Sequence, residues 1–348
     1  MAIEDSILNN NEEIGILKFS DTYLKYRIVS TSKPLVIAFP PLGHSNELES
    51  INIDSNPWAF EFLCRYDVNI ISFGYIGEHN YFKSDDFVNF LEMLSPLLDV
   101  FPCRLGYGFS RGGFGVGAYA NLLKLDKILL VHPISTKNKE LVPWDTRWTT
   151  REASVINWNT KYSDVSLPKK CRVWIFYDPL NEIDTLHAKR FVSDYVKYIK
   201  IWGLGHATGL NFLIPNSNLW HHLIRNFIFD DDLNNRTVLK FKRYLRVSPK
   251  YYELMLNRVN SKLRREVLVK ANKKVRKIAD INVGNAHDGV VSDKLSPKVV
   301  DIIRDLALTY ESSNLDVAYE LMKLAHHHRP TGPFILKKMN EYKNKLHE

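Results

Sequence analysis

Hydrophobic positions between residues 14 and 230 follow two alternating patterns. Short runs rich in β-branched and aromatic residues are separated by longer stretches with helical spacing, which is typical of alternating strands and helices. Runs such as 35–39 are continuously apolar, as expected of strands buried on both faces of a parallel sheet. The predicted strands are 14–19, 23–29, 35–39, 68–73, 104–109, 127–132, 172–177 and 198–202. A short turn joins the first two, which we expect to pair as a hairpin.

Two changes in this pattern suggest the domain organisation. Residues 135–169 are polar and hold Trp144, Trp148 and Trp158, which predicts an insertion, either a lid beside the substrate or a structural excursion that closes the core. From residue 231 the β pattern stops and the chain becomes helical and charged. We therefore predict an α/β domain over 1–230 and a basic helical C-terminal region over 231–348.

The C-terminal region divides at the glycine- and asparagine-rich segment 282–291. The helices that follow have small and large residues at a spacing that weakly resembles one tetratricopeptide repeat. The residues at these positions are Leu306, Ala307, Tyr310, Ala318, Ala325 and Pro330. A single helical hairpin followed by a helix over 333–345 is the simpler prediction, and its role is packing.

Composition excludes several classes of protein. With 45% hydrophobic and 25% charged residues, the chain is neither disordered, collagen-like nor a coiled coil. No apolar window is long enough to cross a membrane, and the acidic, polar start does not resemble a secretory signal, so we expect a cytoplasmic protein. The three cysteines, Cys64, Cys103 and Cys171, lack metal-ligand spacing and are expected to be buried thiols.

Positive charge is concentrated in one segment. Residues 236–277 contain 15 Lys and Arg against Glu253 and Glu266, a local net charge of +13, so the rest of the chain carries −5. Such a segment could contact a polyanion, and the alternative is a solvated helix face. Nucleic acid is the less favoured partner, because no recognised nucleic-acid module occurs in the segment.

A G-x-S-x-G motif carries the strongest chemical signal. Gly108-Phe-Ser110-Arg-Gly112 follows an apolar strand and precedes a helix of small residues. This context suits a nucleophile held on a sharp strand-to-helix turn, where glycines are needed because side chains would clash. A glycine-rich turn that merely packs a helix against a strand is the alternative.

A serine nucleophile needs a histidine base and an acid that orients it, in the order serine, acid, histidine in this architecture. His206 follows the last predicted strand in a glycine-flanked loop and is the candidate base. Asp178, at the end of a strand, is the preferred acid. Asp184 is the first alternative, because it is expected to cap the helix that starts near residue 185, and Glu182 is the second.

Backbone donors for a developing oxyanion should come from two places. The N–H of Arg111 lies at a helix start, where amides lack intrahelical partners. The second donor should lie in the loop after the third strand, where Pro40 and Pro41 have no N–H. Leu42 is therefore the candidate donor and Gly43 the next one.

With this motif order, residues 14 to about 230 resemble the α/β-hydrolase family. The resemblance implies an eight-stranded, mainly parallel, doubly wound sheet with an antiparallel second strand, a serine esterase mechanism, and neither metal nor organic cofactor. The oxyanion loop departs from the family pattern, since it has Pro-Pro-Leu-Gly where many members have His-Gly.

Three functions remain open at this point. The first is a hydrolase that passes an acyl group from a small-molecule or glycan ester to water. The second is an O-acyltransferase with the same triad acting on a surface or capsular glycan, which the tryptophans of the insertion and the basic segment would suit. The third is a non-catalytic interaction protein that uses the helical tail.

Overall fold

The computed structural model describes residues 3, 13–19, 21–43, 45–46, 48–77, 80–147, 156–202, 205–206, 218–245, 249–283, 297–311, 315–330 and 332–347. The strands are β1 (Glu13–Lys18), β2 (Thr22–Ile28), β3 (Leu35–Phe39), β4 (Ser45–Asn46), β5 (Asn69–Ile76), β6 (Arg104–Phe109), β7 (Lys127–Val131), β8 (Arg172–Tyr177) and β9 (Tyr195–Lys200). The chain divides into two compact units, Met1–Ala279 and Asp280–Glu348.

The helices follow in chain order. In the first unit they are α1 (Phe60–Leu63), α2 (Asp85–Leu94), α3 (Arg111–Tyr119), α4 (Glu182–Lys189), α5 (Asn218–Phe229), α6 (Asn235–Leu245) and α7 (Pro249–Arg258). Helix α8 (Lys262–Val283) ends just past the division, and the second unit contains α9 (Pro297–Tyr310), α10 (Leu315–His328) and α11 (Pro333–His347). Within the described ranges, no helix is both long and apolar enough to cross a membrane.

Eight strands form one continuous sheet in the order β1-β2-β5-β3-β6-β7-β8-β9, and the short β4 pairs with β5. Strand β2 runs antiparallel to both of its neighbours, and every other pair in the order is parallel. The predicted hairpin is thus present. The predicted fold class, a mainly parallel, doubly wound sheet with an antiparallel second strand followed by a helical C-terminal region, is confirmed.

Both faces of this sheet are buried, which explains the continuous apolar runs. In β3 the side chains of Leu35, Ile37 and Phe39 join the core beneath α2 and α3. Those of Val36 and Ala38 join a second core beneath α5. Because successive side chains in a strand point to opposite faces, a strand covered on both sides needs apolar residues at every position.

The last strand begins earlier than the sequence predicts. The prediction starts at residue 198, whereas β9 pairs with β8 from Tyr195 onward. Tyr195 and Tyr198 are exposed, and so are Lys197 and Lys200. This is an edge strand whose outer positions face water, so its first half lacks the apolar pattern that identifies a buried strand.

The insertion serves both the core and the site. Trp158 is buried against Tyr81 and Phe114, with ring centroids 5.7 and 5.5 Å away. The main chain of Ser166 bonds to Gly117 of α3. The second half of the insertion is therefore packed structure, while residues up to 147 reach the site described below; Trp148 lies outside the described residues.

Helices α6 and α7 are basic but belong to the packed body of the first unit. Val238 and Phe241 of α6 and Tyr251 of α7 are buried in the second core with Trp220. The change of composition at residue 231 marks a change in secondary structure and charge, whereas the division by packing comes at Ala279. The following helix, α8, differs, because each of its Lys and Arg residues between 262 and 276 is exposed.

The second unit is a small helical core of its own. Ala307, Ala318, Ala325, Met322 and Tyr342 are fully buried where α9, α10 and α11 pack together. Small residues at these contacts let neighbouring helices approach closely. The tetratricopeptide resemblance stays a prediction, and most of the segment 282–291 lies outside the described residues.

Candidate active site

Ser110 occupies a strained turn between β6 and α3. Its φ of 48° and ψ of −113° are unusual for a residue with a side chain. Main-chain bonds hold the turn in place: Ser110 N–H donates to the Val131 carbonyl, and the Ser110 carbonyl accepts from Gly113 and Ile134. Strain of this kind persists only where the surroundings impose it, and it presents the hydroxyl at the carboxyl edge of the sheet.

The glycines of the motif are required by close backbone contacts. A Cβ on Gly108 would lie 2.5 Å from the carbonyl oxygen of Gly112, and a Cβ on Gly112 would lie 2.0 Å from that of Phe39. Real Cβ atoms do not approach backbone so closely. The same contacts press the loop after β3 against the start of α3.

His206 lies in the turn after β9, next to Gly205, whose φ is 68°. Its Nε2 is 2.8 Å from Ser110 Oγ, so the structure brings the predicted nucleophile and base together. Its Nδ1 is 2.7 Å from Asp184 Oδ1. Because the carboxylate can only accept, Nδ1 carries the proton and Nε2 is left to accept from the serine hydroxyl.

The acid beside His206 is Asp184, whereas the sequence analysis preferred Asp178. The sequence favours Asp178 because Asp184 is expected to cap the helix. In the structure Asn181 is the cap, and its side-chain oxygen accepts from the N–H of Asp184. Asp184 therefore lies inside the first turn of α4, fully buried, with its carboxylate directed at the imidazole. The second alternative, Glu182, is exposed.

Asp178 has a different position in the same region. Its carboxylate accepts from the N–H of Leu180 at 2.9 Å and from that of Gly205 at 2.6 Å. It is fully buried at the end of β8. Asp178 therefore anchors the main chain immediately before His206, which makes it a support for the histidine loop.

Arg147, from the insertion, links the acid to a second buried network. Its Nη1 donates to Asp184 Oδ1 at 3.1 Å and lies 3.3 Å from His206 Nδ1, while its Nε and Nη2 donate to the two oxygens of Asp145. Burial would raise the pKa of Asp145, but hydrogen bonds from His187 and Arg147 hold that pKa well below its usual range. Asp145 is thus an anion that fixes Arg147 against Asp184.

His187 completes this network. It is fully buried, and burial lowers its pKa despite the adjacent carboxylate. Its Nδ1 accepts from the Ser135 N–H at 3.1 Å, so its Nε2–H donates to Asp145 at 2.8 Å. Sequence analysis missed these three residues, because nothing in the local sequence indicates that Asp145 and Arg147 of the insertion pack against His187 of α4.

The ring of His132, just after β7, packs against the ring of His206. Its ring is fully buried, its φ is 36°, and its centroid is 4.6 Å from that of His206. Burial and the neighbouring His206 hold the pKa of His132 well below its usual range, so the ring is neutral. Neither ring nitrogen has a hydrogen-bond partner in the described part of the chain. The sequence signal that could have identified His132 is its position at the carboxyl end of the predicted strand 127–132.

The two candidate oxyanion donors lie on the start of α3 and on the loop after β3, which pack together where Gly112 meets Phe39. Arg111 is the first residue of α3, so its N–H has no intrahelical acceptor. Leu42 follows Pro41 in the loop after β3, and its side chain is 61% exposed. Next to it, Gly43 has a φ of 89°, which favours glycine. The Leu42 N–H bonds to no other described residue.

The other histidines that follow or precede a loop lie elsewhere. His326, His327 and His328 form the last turn of α10 in the second unit. His44 lies outside the described residues. No group of three or more His, Cys, Asp or Glu side chains that could hold a metal ion occurs among the residues that the structure describes.

No protein-family model matches the chain, and no curated protein matches it. Similar solved structures include the thermostable carboxylesterase EstE1 from a metagenomic library, at 13% identity over 70% of this chain and 94% of that one, with a TM-score of 0.37. An esterase from Pyrobaculum calidifontis is 12% identical over 69% and 88%, with a TM-score of 0.40. The capsule O-acetyltransferase of Neisseria meningitidis serogroup A is 10% identical over 54% and 86%, with a TM-score of 0.36. The chemistry is argued below from the geometry of the site itself.

Proposed function

We propose that this protein is a serine hydrolase that cleaves an acyl ester through Ser110, His206 and Asp184. The observation that carries the proposal is the continuous hydrogen-bond chain from Ser110 Oγ to His206 at 2.8 Å and from His206 to Asp184 at 2.7 Å, built on a strained turn. A purely structural serine needs neither the strain nor a histidine oriented by a buried carboxylate.

The first half of the proposed reaction forms an acyl-enzyme. Ser110 Oγ attacks the ester carbonyl carbon while His206 Nε2 takes the hydroxyl proton, and the carbonyl oxygen becomes an oxyanion. Asp184 stabilises the imidazolium that forms and keeps Nδ1 protonated. The tetrahedral intermediate collapses when the C–O bond to the alcohol breaks, and His206 returns the proton to the departing oxygen.

The second half releases the acid. Water enters beside His206, which takes one of its protons as the oxygen attacks the acyl carbon. Collapse of this intermediate breaks the bond to Ser110 Oγ, and His206 donates the proton back to the serine. The neutral His132 ring packs against His206 and adds no charge beside the imidazole in either half.

Two tryptophans of the insertion give little support to the alternative, transfer to a glycan. A stacking platform for sugars requires exposed indole faces, but Trp158 is packed between Tyr81 and Phe114, and the half-buried Trp144 ring has its centroid 4.7 Å from that of His187. Hydrolysis needs no such platform. We therefore propose water as the acyl acceptor.

A fluorophosphonate probe tests the nucleophile. We expect the wild-type protein to be labelled on Ser110, the Ser110→Ala variant to remain unlabelled, and the matched Ser135→Ala variant to be labelled at the wild-type rate. Ser135 is the matched control because its hydroxyl also lies beside a histidine, 2.9 Å from His187, but is fully buried. Folded wild-type protein that resists labelling would favour the non-catalytic interpretation.

The same preparation distinguishes the acceptors. Turnover of p-nitrophenyl acetate should be unchanged by a neutral oligosaccharide, and mass spectrometry should detect acetate and no acetylated sugar. Acceptor-stimulated release of p-nitrophenol together with an O-acetylated sugar would instead establish the transferase.

We also propose a polyanion contact through the basic segment. Seven Lys and Arg residues of α8 between 262 and 276 are exposed, and Glu266 is the acidic residue among them. Binding that releases counterions weakens with salt in proportion to the number of contacts.

Retention on immobilised heparin measures this contact. Neutralising four α8 cations should lower the slope of log affinity against log salt by about 3. The variant combines Lys262→Gln, Arg264→Gln, Lys270→Gln and Lys273→Gln. The control combines Lys337→Gln, Lys343→Gln and Lys345→Gln in α11 and should behave as wild type. Equal loss in both variants, or no retention of the wild type at low salt, would count against the contact.

A further inference from the structure

The side chain of Arg111, the residue after Ser110, is a buried cation. It is 0% exposed, and no ion pair joins it to a carboxylate among the described residues. Its Nη1 donates to the Asn80 carbonyl at 2.7 Å and its Nη2 to the Pro41 carbonyl at 3.2 Å. An arginine keeps its charge, and burying a charge without a counter-ion is costly.

Aromatic rings complete the environment of this guanidinium. Its central carbon lies 3.5 Å from the ring centroid of Tyr75, and the rings of Tyr81 and Phe82 lie 5.5 and 5.7 Å away. A planar cation stacked on a ring face and bonded at both Nη atoms is held in one orientation. The positive charge therefore occupies a defined position beside the turn that carries Ser110.

The Pro41 carbonyl is one end of a peptide unit whose other end is the N–H of Leu42. In a planar trans peptide these two groups point in opposite directions. When Arg111 binds the carbonyl, the Leu42 N–H must therefore point away from the guanidinium. The carbonyl of Phe39, two residues before Pro41, lies close against Gly112, so the chain that leads into this peptide packs on the start of α3.

We propose that the Arg111 side chain is a positioning residue for the oxyanion hole. It fixes the Pro41–Leu42 peptide so that the Leu42 N–H and the main-chain N–H of Arg111 converge on the substrate carbonyl oxygen. One residue thus supplies the first donor and orients the second. The inference rests on the proposed serine hydrolase function and names how that site stabilises negative charge.

The cation also acts through the peptide that it binds. A positive charge at the carbonyl oxygen polarises the peptide and makes its N–H a stronger donor. Since no ion pair joins the guanidinium to a carboxylate among the described residues, its positive field acts on the oxyanion that develops beside it. Donors oriented before the reaction need no rearrangement when the charge appears.

Three variants test the inference: Arg111→Met, Arg111→Lys and Arg111→Gln. In the methionine variant we expect kcat/KM for p-nitrophenyl acetate to fall about 10²- to 10³-fold, with KM within threefold of wild type, as when one oxyanion donor is lost. The lysine variant should fall between methionine and wild type, since it keeps the charge but loses the fork that binds two carbonyls at once. Inhibition by a trifluoromethyl ketone, which forms a tetrahedral oxyanion on the serine, should weaken by the same factor as kcat/KM in each variant.

Arg104→Met is the matched control. Its side chain is 14% exposed and bonds Asp99 at the opposite edge of the sheet, so its loss should lower thermal stability with little effect on turnover or inhibitor affinity. If Arg111→Met kept the wild-type kcat/KM and inhibitor affinity, whatever its melting temperature, the inference would be overturned. Arg111 would then only stabilise the loops whose carbonyls it binds. If Arg111→Met does not fold, Arg111→Gln and Arg111→Lys are judged by the same two measurements.

The outcome also separates this inference from the proposed function. Wild-type protein without fluorophosphonate labelling or ester turnover would remove the hydrolase and the inference together. If the wild type is active and the Arg111 variants keep its kcat/KM and inhibitor affinity, the inference alone is removed.

Discussion

Ser110→Ala, His206→Ala and the double variant should all lose about the same factor in kcat for p-nitrophenyl ester hydrolysis, on the order of 10⁶. The physical reason is that the two groups act as one unit. Without the imidazole the hydroxyl keeps its proton and is a poor nucleophile, and without the hydroxyl the imidazole has no proton to take. Removing the second group therefore removes nothing that is still working.

The measurement is a comparison of single and double variants with the background rate subtracted. If the two side chains contributed independently, their fold-losses in kcat would multiply. A double variant with a kcat far below that of either single variant would contradict the view that Ser110 and His206 act together. Circular dichroism controls for folding, since both side chains lie in turns whose main chain is held by separate hydrogen bonds. Residual activity above the uncatalysed rate is expected from the oxyanion donors.

Asp184→Asn should lower kcat about 10³- to 10⁴-fold, whereas Asp178→Asn should cost about tenfold or less. The amide cannot offset the charge of the imidazolium that forms in the transition state. Arg147 makes the loss worse, because its Nη1 lies 3.3 Å from His206 Nδ1 and would repel the imidazolium once Asp184 no longer separates them electrostatically.

Asp178→Asn is the matched control because it changes the same functional group at a buried aspartate of the same region. One amide oxygen can still accept one of the two main-chain bonds from Leu180 and Gly205, so the histidine loop loosens without losing its chemistry. A larger kcat loss in Asp178→Asn than in Asp184→Asn would reverse our assignment of the acid.

The sequence favours Asp178 as the acid, whereas the structure places Asp184 beside His206, and this difference shows the limit of local sequence rules. An aspartate directly before a predicted helix is expected to be its cap, and for that reason the sequence places Asp184 second. Asn181 takes the cap three residues earlier, and this frees Asp184. Both choices satisfy local helix geometry, so only the position of His206, 22 residues further along the chain, separates them.

The sequence pattern also did not predict which charged side chains contact the site residues and the loops beside them. Arg147 reaches Asp184 across 37 positions and Arg111 reaches Pro41 across 70. Contacts at such separations depend on how the insertion and the loops pack, and hydrophobic periodicity carries no information about them. His132 could have been noticed, because it ends a strand at the carboxyl edge where sites in parallel sheets collect.

The amino-acid sequence by itself determined the mainly parallel sheet and most of its strands, and it predicted the turn around Ser110 and His206 as its partner among 12 histidines, two side chains that the structure brings within 2.8 Å. These features follow from local physics: apolar continuity marks doubly buried strands, and glycines mark turns where a Cβ would clash. The tertiary structure decided which aspartate meets the histidine, which charges surround it, and where the buried Arg111 side chain is directed. Those outcomes depend on distances between segments far apart in the chain, which are set when the whole core packs.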